Sequence, residues 1–225
     1  MVYPYLCAMS TPLIISPEAE AYAQLFTSAD DVLLTEIEAY TNAHHPHAHM
    51  LSGQVQGKFL VFLSTILRPK YVLEVGTFTG YSALCLAEGL QNDGELHTIE
   101  CREEDAQTAR NYFSKSYRKD QIHLHIGNAG EIIPTLDHPW DLVFIDADKT
   151  GYINYYEQLI PRMAENGIIL ADNVLFHGQV LEETISGKNA KAIHAFNEHV
   201  KQDPRTEQVL LTIRDGLLMV KKKTT

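Results

Sequence analysis

Three oxygen-bearing side chains follow two apolar runs in the second half of the chain. Asp146 comes directly after residues 141–145, and Asp172 and Asn173 come directly after residues 168–171. If both runs are strands of one open α/β sheet, their carboxyl ends meet at the ligand crevice. Two carboxylates and an amide carbonyl are hard oxygen donors, which suit Mg²⁺, Mn²⁺ or Ca²⁺ better than Zn²⁺. This placement predicts a divalent-metal site; the alternative is a helix cap at Asp146 and a turn at Asp172.

The backbone geometry at Asp172 and Asn173 and the nearby Lys149 determine whether the three oxygen ligands can form one catalytic site. Adjacent strand residues point to opposite faces, so Asp172 and Asn173 reach one ion only if the backbone leaves extended geometry there. Lys149 follows Asp146 by three residues and can reach the same crevice. Burial and a divalent cation both disfavour a charged lysine, which would make Lys149 a proton acceptor. An exposed lysine at a helix start is the alternative.

A glycine turn forms the second candidate site, in the stretch YVLEVGTFTGYS at residues 71–82. A buried strand, a tight turn and a helix are predicted in that order, and such a corner binds nucleotides. A dinucleotide site requires glycine where this turn carries Phe78, so pyrophosphate is disfavoured. Glu74, two residues before Gly76, would repel phosphate and attract an α-ammonium group. S-adenosylmethionine carries that group and has no phosphate.

Two residues farther along extend this nucleotide corner. Glu100 ends the second predicted strand, 20 residues after Gly80, where an acid accepts hydrogen bonds from ribose hydroxyls. Ala129, after the third strand, would leave room for the adenine ring. Taken singly, an acid such as Glu100 is more often a solvated charge, and Ala129 is equally a residue favoured at a helix start.

The elements that position these residues alternate strand and helix. Five βα units precede a hairpin, whose turn is Arg214-Asp215-Gly216. The predicted strands span residues 71–75, 96–99, 122–126, 141–145, 168–171, 208–213 and 217–220. The fold class is therefore α/β, with a doubly wound, mostly parallel seven-stranded sheet and a C-terminal antiparallel hairpin.

Extra helices precede the sheet. The first begins at Ser16-Pro17-Glu18 and the second at Asp30 or Asp31, and residues 53–67 form a third. The expected apolar positions are Val32, Leu33, Ile37 and Tyr40 in the second helix, and Phe59, Leu60, Phe62, Leu63, Ile66 and Leu67 in the third. The histidine-rich residues 42–49 are interpreted as a polar connector, because Pro46 breaks any i, i+4 pairing of metal ligands. We expect one domain over 1–225, with an arm and helices in 1–50 and the cofactor- and metal-binding core in 51–225.

Composition limits the partners. Eighteen basic against 29 acidic residues give a formal charge of −11, which opposes binding to nucleic acid or an anionic membrane and favours a small molecule or a metal cation. Three cysteines, Cys7, Cys85 and Cys101, without a CxxC spacing indicate reduced thiols in a cytoplasmic protein. Lys221, Lys222 and Lys223 are expected to form a solvated tail. No G-x-S-x-G, P-loop or H-E-x-x-H motif supports a hydrolase or a kinase.

Three motifs in order resemble one family. VLEVGTFTGYS, FIDADK followed by Tyr152, and ADNVLF-x-G are similar to the cation-dependent, S-adenosylmethionine-dependent O-methyltransferases, the group that contains catechol and caffeoyl-CoA O-methyltransferases, over residues 50–220. The likeness is greatest to the compact bacterial members. The resemblance implies cofactor contacts at Ser52, Glu74, Gly76, Thr77, Ser82, Glu100, Ala129 and Asp148. It also implies metal ligands at Asp146, Asp172 and Asn173, and a general base at Lys149.

The resemblance also implies a reaction. Two vicinal hydroxyls of a catechol-like substrate would chelate the metal, Lys149 would take a proton, and the oxygen would attack the sulfonium methyl in line. The plant insertion that helps to hold a CoA thioester is missing, so a free catechol, hydroxycinnamate or flavonoid is expected, near Phe176, His177 and the N-terminal helices. A homodimer is expected through the helices before Met50. The alternatives are an NAD-dependent oxidoreductase, against which Phe78 and Glu74 argue, and a non-catalytic binding module.

Overall fold

The computed structural model describes residues 15–223, in which one seven-stranded sheet carries helices on both faces. The strand order is β3-β2-β1-β4-β5-β7-β6, with the first five strands parallel and β7 antiparallel to both β5 and β6. The strands are β1 Tyr71–Val75, β2 Glu95–Glu100, β3 Ile122–Ile126, β4 Trp140–Ile145, β5 Met163–Asp172, β6 Thr206–Leu211 and β7 Leu217–Lys222. The predicted doubly wound, mostly parallel sheet with a terminal hairpin is confirmed.

Eight α-helices lie in the described part of the chain. They are α1 Pro17–Leu25, α2 Val32–His44, α3 Gly53–Leu67, α4 Tyr81–Ala87, α5 Glu103–Phe113, α6 Ala129–Ile132, α7 Tyr152–Leu159 and α8 Lys188–Gln202. The predicted starts of the first two helices are confirmed by their caps. The Ser16 hydroxyl accepts from the Ala19 amide at 3.2 Å, and the Asp31 carboxylate accepts from the Leu34 amide at 2.8 Å.

The central strands bury both of their faces, as continuous apolar runs require in a parallel sheet. In β1, Leu73 and Val75 pack on one side with α6, α7 and α8, whereas Val72 packs on the other with α3 and α4. Alternation of side chains along a strand produces this division. It leaves Glu74 on the same side as Val72, beneath α4.

The buried side of α3 agrees in part with the expected one, since Leu60 is buried and Phe59, Leu63 and Leu67 pack against the core. Phe62 and Ile66 are 58 % and 78 % exposed, while Gln56, Gly57 and Ser64 are buried together with Leu60. Close packing against α4 is the reason: a Cβ on Gly57 would lie 2.6 Å from the Tyr81 ring. By length and composition Ala48–Leu67 would also pass as a membrane span, but its polar side faces the protein interior.

The second helix follows its expected pattern at Ile37 and Leu33 and departs from it elsewhere. Leu34, Ile37 and Thr41 are buried, whereas Val32 is 86 % exposed and Tyr40 is 42 % exposed. Thr41 is buried because its hydroxyl donates to the Thr79 hydroxyl of the glycine turn at 3.0 Å. The helix therefore packs onto the candidate site with a polar contact that apolar periodicity does not register.

The lysines expected in a solvated tail belong in part to a paired strand, although Lys221 and Lys223 are exposed as expected. Strand β7 continues through Lys222, whose ammonium donates to the Met163 carbonyl at 2.8 Å, and Lys221 pairs with Glu207 at 2.8 Å. The reason is that β7 lies between β5 and β6, so its backbone is bonded on both edges. Of the cysteines, Cys85 and Cys101 are free thiols. Cys7 and the rest of the predicted arm in residues 1–14 lie outside the described residues.

Candidate active site

A cleft of about 720 Å³ opens at the carboxyl ends of the parallel strands. It is lined by the turn after β1, the ends of β2, β4 and β5, the start of α6 and the segment before α3. All the predicted site residues except Glu74 line this cleft: Ser52, Gly76, Thr77, Ser82, Glu100, Ala129, Asp146, Asp148, Lys149, Asp172 and Asn173. The fold therefore brings together groups that lie more than 100 residues apart in the sequence.

The glycine turn also brings β1 against β4. Gly76 has a φ of 101°, and a Cβ there would lie 2.0 Å from the Asp146 carbonyl oxygen. The Asp146 amide in turn donates to the Val75 carbonyl at 2.8 Å. Only glycine permits both the backbone conformation and the close approach. Phe78, the residue that argued against a dinucleotide, adopts a φ of 51° and packs edge-on against the His45 ring.

Glu100 is held rigidly at the rim of this turn. Its Oε2 accepts from the Phe78 amide at 2.8 Å, and its Oε1 accepts from the Arg102 amide at 2.9 Å. The residue is only 4 % exposed, yet it lines the cleft. A carboxylate has about four acceptor positions, so these backbone bonds fix its orientation and leave capacity for a ligand hydroxyl.

Glu74 differs from the other predicted cofactor contacts because it does not line the cleft. It is fully buried beneath α4, and its Oε2 accepts from the Thr98 hydroxyl, which also contacts the Thr77 hydroxyl. Oε1 has no hydrogen-bond partner among the described residues. Burial raises the pKa of Glu74 to about 8. In this arrangement Glu74 supports the turn from below, and its direct contact with a cofactor stays a prediction.

On the opposite wall, oxygen atoms converge on one cationic group. The Lys149 ammonium donates to Asp146 Oδ1 at 3.0 Å, to Asn173 Oδ1 at 2.7 Å and to the Tyr152 hydroxyl at 2.7 Å. The backbone leaves extended geometry at Asn173, where φ is 57°, as a shared ligand site requires. Because the lysine ammonium is itself a cation, it shows that this donor set suits a positive ion.

Asp172 completes the wall through two fixed bonds. Its Oδ2 accepts from the Gln56 amide group at 2.7 Å, and its Oδ1 accepts from the Asn173 backbone amide at 2.8 Å. Burial, followed by the charge of Asp146, raises the pKa of Asp172 to about 6. Asp172 is therefore an acid whose charge is costly until a cation lies nearby.

The pKa of Lys149 is subject to two opposing effects. Burial lowers the pKa of its ammonium, but Tyr152, Asp146 and Asp172 together outweigh burial and hold that pKa above its ordinary value. With these partners the side chain is a charged donor. Lys149 could therefore accept a proton only if a bound cation offset the negative charges of Asp146 and Asp172.

Sequence reasoning missed several groups that hold the site. Arg214 lines the cleft and donates to the Ser52 carbonyl, and Gln56 holds Asp172 from a position 116 residues away in sequence. The Tyr155 hydroxyl donates to Asp148 Oδ1. A positively charged residue in the hairpin turn was the available signal for Arg214, but Gln56 has no local signal because its role arises from helix packing. The expected lip residues Phe176 and His177 do line the cleft.

A family model described as O-methyltransferase matches residues 24–223. This chain belongs to the O-methyltransferase family. The chain is 33 % identical over 193 residues to a probable caffeoyl-CoA O-methyltransferase 2 of Dictyostelium discoideum, and the match covers 83 % of this chain and 84 % of that protein. It is 30 % identical over 186 residues to a catechol O-methyltransferase of Niastella koreensis, covering 81 % and 83 %. The SAH-bound methyltransferase PaMTH1 of Podospora anserina superimposes with a TM-score of 0.85 at 29 % identity, covering 92 % and 94 %.

These matches confirm the predicted family and enzyme class, an S-adenosylmethionine-dependent O-methyltransferase. They do not favour the alternatives of an NAD-dependent oxidoreductase or a non-catalytic binding module. In this O-methyltransferase the glycine turn with Glu100, and the oxygen set around Lys149, are two walls of one cleft. We call them the cofactor wall (residues 76–82 and Glu100) and the oxygen wall (Asp146, Lys149, Asp172 and Asn173).

Proposed function

We propose that this enzyme transfers the methyl group of S-adenosylmethionine to one hydroxyl of a vicinal dihydroxy aromatic molecule, with a divalent cation held by Asp146, Asp172 and Asn173. The observation that carries the proposal is the convergence of these oxygens on the Lys149 ammonium, opposite the cofactor wall. Methyl donor and methyl acceptor would then meet in one cleft.

The cofactor wall supports the methyl-donor half of the proposal. Glu100 keeps acceptor capacity for ribose hydroxyls, and the glycine turn allows a ligand to approach the backbone closely. Ser52, Thr77, Ser82, Ala129 and Asp148 are the other proposed contacts on the cleft surface. Glu74 is proposed to act with them from beneath the turn.

The oxygen wall supports the metal half. Two carboxylates and an amide oxygen match the preference of Mg²⁺, with Mn²⁺ and Ca²⁺ as alternatives. A bound divalent ion would lower the pKa of a neighbouring substrate hydroxyl. A divalent ion bound by Asp146 and Asp172 would offset two of the negative charges that raise the Lys149 pKa, which favours Lys149 as the acceptor of the hydroxyl proton.

The lip of the cleft supports a compact, free acceptor. Phe176 offers an aromatic face, and His177 is 68 % exposed beside Asp215. We therefore propose a catechol, hydroxycinnamate or flavonoid as the acceptor class. The relatives named for caffeoyl-CoA and for catechol make both substrate types worth testing.

The test compares caffeate with 4-coumarate, which lacks the second ring hydroxyl. With S-adenosylmethionine and Mg²⁺, the expected result is a methylated product of caffeate by mass spectrometry and no methylation of 4-coumarate. Equal methylation of the two acceptors would overturn the chelation of vicinal hydroxyls. Failure with every dihydroxy acceptor would remove the proposed substrate class.

A cytoplasmic homodimer without a nucleic-acid partner completes the proposal. The charge of −11 argues against nucleic acid. Large apolar side chains are exposed in and just after α1 (Tyr22, Leu25 and Phe26) and on α3 (Phe62 and Ile66), which supports an interface at these helices. Light scattering at micromolar concentration is expected to give twice the chain mass of 25.3 kDa; a monomeric mass would contradict the dimer.

A further inference from the structure

A cluster of histidines lies at the β3 edge of the sheet, away from the cleft. It comprises His97 of β2, His123 and His125 of β3, His138 just before β4, and Glu95 at the start of β2. His97 and His123 are register partners across the parallel pair, so their side chains point to the same face. None of the five side chains lines the cleft.

Three of these residues present ligand atoms to one point. One potential ligand atom each from Glu95, His97 and His138 lies within 4.8 Å of the other two. The His97 Nε2 lies 3.1 Å from Glu95 Oε2, and the His123 Nε2 lies 4.0 Å from the same oxygen. Ligands at about 2.1 Å around a tetrahedral Zn²⁺ are roughly 3.4 Å apart. Small rearrangements of the side chains of Glu95, His97 and His138 would therefore let one ion contact all three.

His125 provides the outer contact that a ligating histidine usually has. Its Nε2 lies 3.0 Å from His97 Nδ1, and the two rings stack at an angle of 11°. As the rings stand, His97 Nε2 donates to the Glu95 carboxylate, which can only accept, and His97 Nδ1 accepts from His125 Nε2. With an ion bound at His97 Nε2, the ring proton would move to Nδ1 and be donated to His125. A hydrogen bond from the second ring nitrogen fixes both tautomer and orientation in metal-binding histidines.

His97 lies at the centre of the cluster. It is 7 % exposed, and its ring centroid lies 4.9 Å from that of His123, 5.2 Å from that of His125 and 4.8 Å from that of His138. Glu95 supplies the negative charge and is half-exposed, which leaves an entry path from solvent.

We propose that Glu95, His97 and His138 bind a late first-row divalent ion such as Zn²⁺, with His123 as a fourth contact and His125 as the group that orients His97. Imidazole donors select such ions, whereas the oxygen wall suits Mg²⁺. The site would tie β2 to β3 and to the segment that enters β4. It does not depend on the proposed catalytic function.

The test uses tag-free full-length protein and Co²⁺ as a spectroscopic substitute for Zn²⁺, in a large excess of Mg²⁺ that occupies oxygen sites. The expected result is one equivalent of bound Co²⁺ with visible ligand-field absorption, displaced by Zn²⁺. Zn²⁺ is also expected to raise the midpoint of thermal unfolding, because it binds the folded chain. No visible absorption at stoichiometric Co²⁺ would overturn the site.

Variants separate the cluster from other histidines. His138→Ala is expected to remove the one-equivalent absorption, and His125→Gln to weaken Co²⁺ affinity 10- to 100-fold, as loss of an orienting partner does. His123 is 42 % exposed, so His123→Ala is a second ligand variant that leaves the core intact. His194→Gln, on the exposed surface of α8, is the matched control and is expected to bind like the parent. Undiminished binding in both His138→Ala and His123→Ala, or equal loss in His194→Gln, would refute the proposal.

Discussion

The two walls of the cleft are built in different ways. The cofactor wall comes from the turn that follows β1 and from the end of the adjacent strand β2, and Glu100 is fixed by backbone amides close by. The oxygen wall joins the ends of β4 and β5 to Gln56 of α3, 116 residues from its partner Asp172. A local motif thus forms the first wall, whereas the second exists only once the sheet and α3 are assembled. Substitutions in the cofactor wall and in the oxygen wall should therefore have different effects on cofactor affinity and on metal binding.

The largest expected effect lies where the two walls touch. Gly76→Ala places a Cβ 2.0 Å from the Asp146 carbonyl at a φ of 101°, so β1 and β4 must move apart. We expect a loss of roughly 3 kcal/mol or more in the free energy of unfolding, from strain and overpacking together. Gly53→Ala is the matched control, because its φ is 74° but no atom lies within 4 Å of the added Cβ. Urea unfolding of both variants measures the difference, and equal losses would contradict the close contact.

A pair of substitutions, one in each wall, tests whether the walls act separately. Asp146→Ala is expected to abolish metal binding and to lower turnover by about 10³-fold or more, while S-adenosylhomocysteine affinity changes little. Glu100→Ala is expected to weaken S-adenosylhomocysteine about 10- to 100-fold, since it removes hydrogen bonds to a charged group. Calorimetric binding and steady-state kinetics on both variants supply the comparison. The same loss of affinity in both would mean that the walls are not separable.

Within the oxygen wall, Lys149 is the proposed proton acceptor. Lys149→Met is expected to lower kcat by about 10²- to 10⁴-fold, the usual contribution of general-base catalysis, with S-adenosylhomocysteine affinity preserved. Lys149→Arg retains the positive charge but cannot accept a proton near neutral pH. Full turnover in the arginine variant would remove the base assignment, because charge alone would then suffice.

The buried acid of the cofactor side predicts a pH effect on stability. Burial raises the pKa of Glu74 from 4.5 to about 8, so the fold prefers the protonated form. The contribution of protonated Glu74 to the free energy of unfolding is complete below pH 4.5 and is lost as the pH rises through 8. Relative to Glu74→Gln, the parent should lose unfolding free energy between pH 5 and pH 8, by at most roughly 1.4 kcal/mol per pH unit. Parallel stability profiles for the two proteins would contradict the raised pKa.

The fold and the cofactor wall were accessible from sequence for a physical reason. Strands buried on both faces form continuous apolar runs, and the helix caps at Ser16 and Asp31 are local hydrogen bonds. The ends of successive strands also predicted that Asp146 and Asp172 would lie in one cleft.

Contacts between elements that are distant in the sequence could not be predicted from local sequence patterns. α3 buries Gln56, Gly57 and Ser64 because α4 packs closely against it, while apolar Phe62 and Ile66 face outward. A periodicity rule identifies Leu60 as buried but wrongly adds Phe62 and Ile66, and it misses the buried polar positions. The lysines of β7 were misassigned because a central strand position depends on its neighbours in the sheet and not on its own charges.

The most direct test of a two-wall site measures turnover and cofactor affinity in the same metal-depleted protein, before and after Mg²⁺ is added. We expect methylation of caffeate to fall at least about 100-fold without the ion and to return when the ion is added. Over the same titration, the Kd for S-adenosylhomocysteine should stay within about threefold, because Glu100, a proposed cofactor contact, is oriented by the amides of Phe78 and Arg102 and not by the oxygen wall. Turnover that is unaffected by the chelator would contradict the central claim.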